Sequence, residues 1–146
     1  MAVDVVTEIT IGRPKGVVAT YAADSSNAPV WYQNIKSVEW ETAPPLQVGS
    51  RMAFVANFLG RRLAYSYEVI EFVPGDRLVM RTSQGPFPME TTYTWSAVGD
   101  GSTRMTLRNR GEPAGFSKLA APFMAVAMRR ANRKDLAQLR SIVESG

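Results

Sequence analysis

The chain has 146 residues, 45% of them hydrophobic, enough for one globular domain with a real core, and residues 1–146 are read as that domain. It has neither cysteine nor histidine, which excludes disulfides, thiolate chemistry, Ser-His or Cys-His nucleophile pairs and the commonest metal ligand. The net charge of +4 sits entirely at the end: from Ser117 onward Lys118, Arg129, Arg130, Arg133, Lys134 and Arg140 face only Asp135 and Glu144, and the remainder is neutral.

Acid–base chemistry would therefore fall to Asp, Glu, Tyr, Lys or Arg. No group of carboxylates has metal-site spacing, so neither a metal nor a cofactor is expected. The N-terminus carries Asp4 and Glu8 and no basic stretch, which is unlike a signal peptide. No apolar run approaches the ~18 residues of a membrane span. A cytoplasmic location is the expectation.

Val3 to Ile11 alternates, with Val3, Val5, Thr7, Ile9 and Ile11 on one face, and predicts a half-buried strand. Gly12-Arg13-Pro14 stops it, and Pro14 suits the first turn of a helix carrying Val17, Val18, Tyr21 and Ala22. Ser25 to Pro29 breaks the chain, and Pro29 to Tyr32 predicts a second short helix. Strands follow at Ser37–Thr42, Arg51–Leu59, Leu63–Phe72, Arg77–Ser83, Met89–Val98 and Thr103–Arg110, separated by turn signals such as Pro74-Gly75-Asp76 and Asp100-Gly101. Such short connections imply an antiparallel meander. After Gly111 to Gly115 comes a long helix whose apolar stripe is Ala121, Ala125, Met128, Leu136, Leu139 and Val143. Pro122 either kinks this helix or marks its first turn.

One face of these strands is rich in large soft side chains: Met52, Phe54, Phe58, Tyr65, Tyr67, Met80, Tyr93 and Trp95. A single helix covering a seven-stranded sheet has difficulty filling the space beneath such a face. A cavity for an apolar ligand is the expectation, weighed against an ordinary packed core. Trp31 and Met128 are expected to add apolar contact. Asn132 lies on the helix stripe, and either orients a polar ligand group or hydrogen-bonds a loop. Arg129, Arg130, Arg133 and Lys134 form a basic helix face without interleaved aromatics, which argues against nucleic acid. They read as a solvated face or as a transient membrane-surface contact. Oligomeric state is not legible.

The element order, together with Ile11-x-Arg13-Pro14, Trp31, Val69 to Leu78, Gly85-Pro86-Phe87 and Asp100-Gly101-Ser102-Thr103, resembles the START/Bet v1-like (SRPBCC) superfamily. The likeness is to its polyketide cyclase/dehydrase and lipid-transport branch, and it covers nearly the whole chain. It implies an α+β helix-grip fold: a curved seven-stranded antiparallel sheet gripping the C-terminal helix over a hydrophobic cavity. It implies function less directly, since the superfamily includes carriers and aromatase/cyclases.

Strict alternation points Arg81 outward, but the aromatase/cyclases place a basic residue before a similar Gly-Pro-Phe in the pocket. A bulge near Gly85 would turn Arg81 inward. The positions matching another inward arginine and a cavity tyrosine of those enzymes look like Val69 and Ile35, which weakens a cyclase reading. The expected function is binding or carrying a hydrophobic small molecule, with entry near Gly85-Pro86-Phe87-Pro88 and Gly111 to Gly115. The rivals are a cyclase/dehydratase using Arg81, Tyr93 and Asp135, and an interaction module docking through the basic helix.

Overall fold

A computed structural model describes residues 3–58, 60–85, 88–112 and 121–146. Strand β1 (Val3–Ile11) leads into helix α1 (Lys15–Ala23), a 3₁₀ turn at Ser25–Asn27 and the one-turn helix α2 (Ala28–Trp31). Six strands follow: β2 (Ile35–Trp40), β3 (Arg51–Phe58), β4 (Arg61–Val73), β5 (Arg77–Gln84), β6 (Met89–Val98) and β7 (Ser102–Gly111). Helix α3 (Ala121–Ser145) is the last element, with Pro122 as its second described residue.

All pairings are antiparallel, in the order β1-β7-β6-β5-β4-β3-β2. The meander therefore runs from β2 to β7, and β1 returns to pair with β7. The sheet is a curled half-barrel and α3 lies in its grip, which makes this an α+β helix-grip fold. Alternation sets the faces. Val3, Val5 and Thr7 are buried in β1, Met52, Phe54 and Ala56 in β3, and Met105 and Leu107 in β7. Boundaries differ slightly from the sequence expectation. Strand β2 starts two residues early, at Ile35, because an irregularity between Ile35 and Ser37 lets it pair before its alternation begins.

Two bulges shape the middle of the sheet. Val69 and Glu71 face Met80 and Val79, so Ile70 is the extra residue in β4. Ser66 and Tyr67 face Gln84 and Thr82, so Ser83 is the extra residue in β5. Bulges strengthen local twist, which helps the sheet wrap a helix.

The two halves of the concave face are filled differently. Toward the C-terminal end of α3, Leu136, Leu139 and Val143 join Ile11, Val18, Trp95, Met105 and Leu107 in a packed core. This end is tied down: Glu144 Oε2 accepts the Gly12 N–H at 2.7 Å, and Arg13 Nη1 donates to the carbonyls of Val143 (3.3 Å) and Gly146 (2.6 Å). The N-terminal half of α3 covers a space that stays open.

Candidate functional site

That space is a cavity of about 150 Å³. Its sheet side is apolar and aromatic. Phe54, Ala56 and Phe58 come from β3, Leu63, Tyr65 and Tyr67 from β4, Met80 from β5, and Met89, Thr91 and Tyr93 from β6. Period-two alternation delivers these side chains to one face. Phe54 and Tyr65 stack at 5.5 Å, and Tyr65 and Tyr67 lie 5.0 Å apart, centroid to centroid. The roof is one stripe of α3: Met124, Met128, Ala131, Asn132 and Asp135. Ala28, Tyr32 and Ile35 close the end beneath α2.

Polar atoms gather in two places. Midway along the floor, Thr91 Oγ1 donates to Asn109 Oδ1 at 2.8 Å. It must then accept from the Tyr67 hydroxyl, also 2.8 Å away, so the Tyr67 proton is committed. Burial raises the Tyr67 pKa to about 12 and also raises those of Tyr32, Tyr65 and Tyr93, so all four stay neutral. The second polar place lies at the α2 end, where the hydroxyls of Tyr32 and Tyr93 sit 2.6 Å apart. Trp31 stacks on Tyr32 at 4.0 Å and fixes its ring. Asp135 Oδ1 accepts the Gln33 N–H at 3.0 Å, tying α3 to the segment after α2. Burial pushes its carboxyl up to about 6, against the Gln33 hydrogen bond, which lowers it. Asn132, one turn away, is 4% exposed, and its Nδ2 has no hydrogen-bond partner among the described residues.

Several residues expected in the cavity meet there: Phe54, Phe58, Tyr65, Tyr67, Met80, Tyr93, Met128, Asn132 and Asp135. Four do not line it. Trp31, the last residue of α2, is buried against Tyr32, which follows it with extended backbone and lines the cavity in its place. Met52 and Trp95 are buried in the packed core beside the cavity. Arg81 is exposed, and its register partners are Glu68 and Glu90. The bulge expected near Gly85 does occur, at Ser83, but it begins after Arg81 and leaves that side chain pointing out.

Tyr32, Met124 and the Thr91–Asn109 pair line the cavity and were not expected to. Met124 falls four residues before Met128, so helical spacing alone would have found it. Pro86, Phe87 and residues 113–120, most of the two expected entry segments, lie outside the described residues. On the outer face of α3, Arg130, Arg133 and Lys134 are exposed and Arg129 is partly buried. No described helix is long and apolar enough to cross a membrane.

A family model described as polyketide cyclase / dehydrase and lipid transport matches residues 2–144. No curated protein matches the sequence. Among solved structures, TTHA0849 from Thermus thermophilus is similar at TM-score 0.83 and 21% identity, covering 97% of each chain. The Zhui aromatase/cyclase from Streptomyces sp. R1128 is similar at TM-score 0.82 and 12% identity, over 99% of this chain and 94% of that one. A START superfamily protein from Mycobacterium smegmatis is similar at TM-score 0.82 and 14% identity, covering 97% of each. At these identities the likeness is one of fold.

Proposed function

The chain belongs to the polyketide cyclase / dehydrase and lipid transport family, and on that premise we propose that it binds a hydrophobic small molecule in the cavity under α3. The observation that carries this reading is an apolar space left open beside a half of the same core that is packed shut. Interiors are normally close-packed. An apolar space left unfilled forfeits packing contacts that a bound apolar molecule restores, so the space reads as a binding site.

Its volume narrows the ligand. A cavity of about 150 Å³ suits a molecule near the size of benzene, and a fused polycycle would need α3 to move away. Sequestration is favoured over a cyclase/dehydratase activity because Arg81, the strongest polar group that activity called for, lies on the opposite face of the sheet. An interaction module would be favoured by a solid interior, which this is not.

Native mass spectrometry of protein purified from cells, followed by organic extraction, tests the reading. The expected result is a small apolar adduct that is lost on denaturation. It should be reduced by Met80→Trp, which fills the cavity, and unaffected by Arg81→Ala. Equal loss from Arg81→Ala would count against the cavity as the site.

A further inference from the structure

Resting on the binding role proposed above, we infer the chemical class of the ligand: a neutral, single-ring molecule that presents a carbonyl oxygen to the end of the cavity formed by Tyr32, Tyr93 and Asn132. The argument is a count of donors and charges. Tyr32 and Tyr93 carry two hydroxyl protons between them and share one hydrogen bond at 2.6 Å, whichever of them donates. One proton of the pair is therefore not used within it. Both residues stay protonated, so this proton is always present. Asn132 adds an amide nitrogen that is shut off from solvent and unpartnered among the described residues. An unmade hydrogen bond at a buried donor costs about 1–3 kcal/mol, which an incoming acceptor recovers. Two donors at this end, the spare tyrosine proton and the Asn132 amide, thus make no hydrogen bond among the described residues, and a ligand oxygen would take them up.

Charge then excludes most acceptors other than a neutral one. Asp135 lines the same end and repels a carboxylate. Arg110 is the one cationic side chain among the described cavity-lining residues. It is already held by Glu90 Oε1, at 3.2 Å from Nε and 2.9 Å from Nη2. Among the described residues an anionic ligand would find no free counter-ion there, and desolvating an unpaired charge is costly. A fatty acid or an aromatic acid is disfavoured on this ground. The rest of the wall asks only for an apolar body, and the stacked Phe54 and Tyr65 rings suit a flat one.

The test is calorimetric titration of the full chain at pH 8 with three probes of matched size: acetophenone, ethylbenzene and benzoate. Acetophenone is expected to bind about tenfold more tightly than ethylbenzene, the usual size of one well-made buried hydrogen bond, and benzoate more weakly than either. Asn132→Leu should narrow the advantage of acetophenone over ethylbenzene several-fold. The double variant Tyr32→Phe/Tyr93→Phe, which keeps ring shape, should do the same independently. Tyr93→Phe alone should keep part of the preference, because the Tyr32 proton remains. Equal binding of acetophenone and ethylbenzene, or tightest binding of benzoate, overturns the ligand class and leaves the cavity as a binding site. Binding of none of the three overturns both.

Discussion

Asp135 is the residue on which two environments meet. It lines the cavity on one side. On the other it lines an open cleft on the α2–α3 surface together with Gln33, Lys134 and Gln138. It is 3% exposed, and burial lifts its carboxyl from the ordinary 3.8 to about 6. The sign follows from linkage. Between about pH 4 and 6 the folded chain holds a proton at Asp135 that the unfolded chain has released, so this residue's contribution to stability falls as pH rises through that window. Above it, the buried carboxylate is a standing cost of up to ~3 kcal/mol. Asp135→Asn keeps an oxygen to accept the Gln33 N–H and removes the charge. Its melting temperature should exceed the parent's at pH 8, with the gap closing below pH 4. A gap independent of pH would mean that Asp135 is not the titrating group. At this scale the sequence was only partly legible. The stripe of α3 placed Asn132 and Asp135 near the cavity. Nothing in the order Trp31-Tyr32 told which ring faces in, since that turns on where α2 ends and the backbone becomes extended.

The motif Ile11-x-Arg13-Pro14 acquires a physical reason at the level of elements. Pro14 precedes the first turn of α1, and Arg13 turns back to donate to the carbonyls of Val143, in the last turn of α3, and of Gly146 just beyond it, more than a hundred residues away in sequence. A cation there also complements the negative end of the helix dipole. Glu144 reciprocates by accepting the Gly12 N–H. These contacts anchor one end of α3 and leave its cavity-covering end to be held by Asp135 and by side-chain packing. Arg13→Leu should lower stability by about 1 kcal/mol, measured by urea denaturation, the usual worth of a charge-assisted cap. It should leave ligand affinity nearly unchanged, because the anchored end is remote from the cavity. A large loss of affinity at unchanged stability would show that the anchor sets the cavity's shape. Strand order and facing were readable because short turns force antiparallel neighbours and alternation fixes the buried side. The start of β2 was not, because its irregularity follows from pairing with β3 rather than from its own sequence.

For the whole molecule, the seven-stranded antiparallel sheet, the two short helices and the long closing helix were all legible in the sequence, and so was the expectation of a space beneath α3. The extent of that space was not. The aromatic and methionine face runs across the whole sheet, yet only part of it borders the opening. The C-terminal half of α3, with Ile11, Val18 and Leu107, closes over Trp95 and Met105. Which part stays open depends on where helices cross the sheet, and a strand's own pattern carries no record of that. The methionines make this division measurable. Met80, Met89, Met124 and Met128 line the cavity, whereas Met52 and Met105 are fully buried in the packed core. Methyl NMR of methionine-labelled protein titrated with ethylbenzene therefore tests the central claim most directly. The four lining methyls should shift in proportion to occupancy while Met52 and Met105 stay nearly still. A spectrum that does not change, or one in which Met52 and Met105 move as far as the other four, would contradict a ligand bound in the cavity.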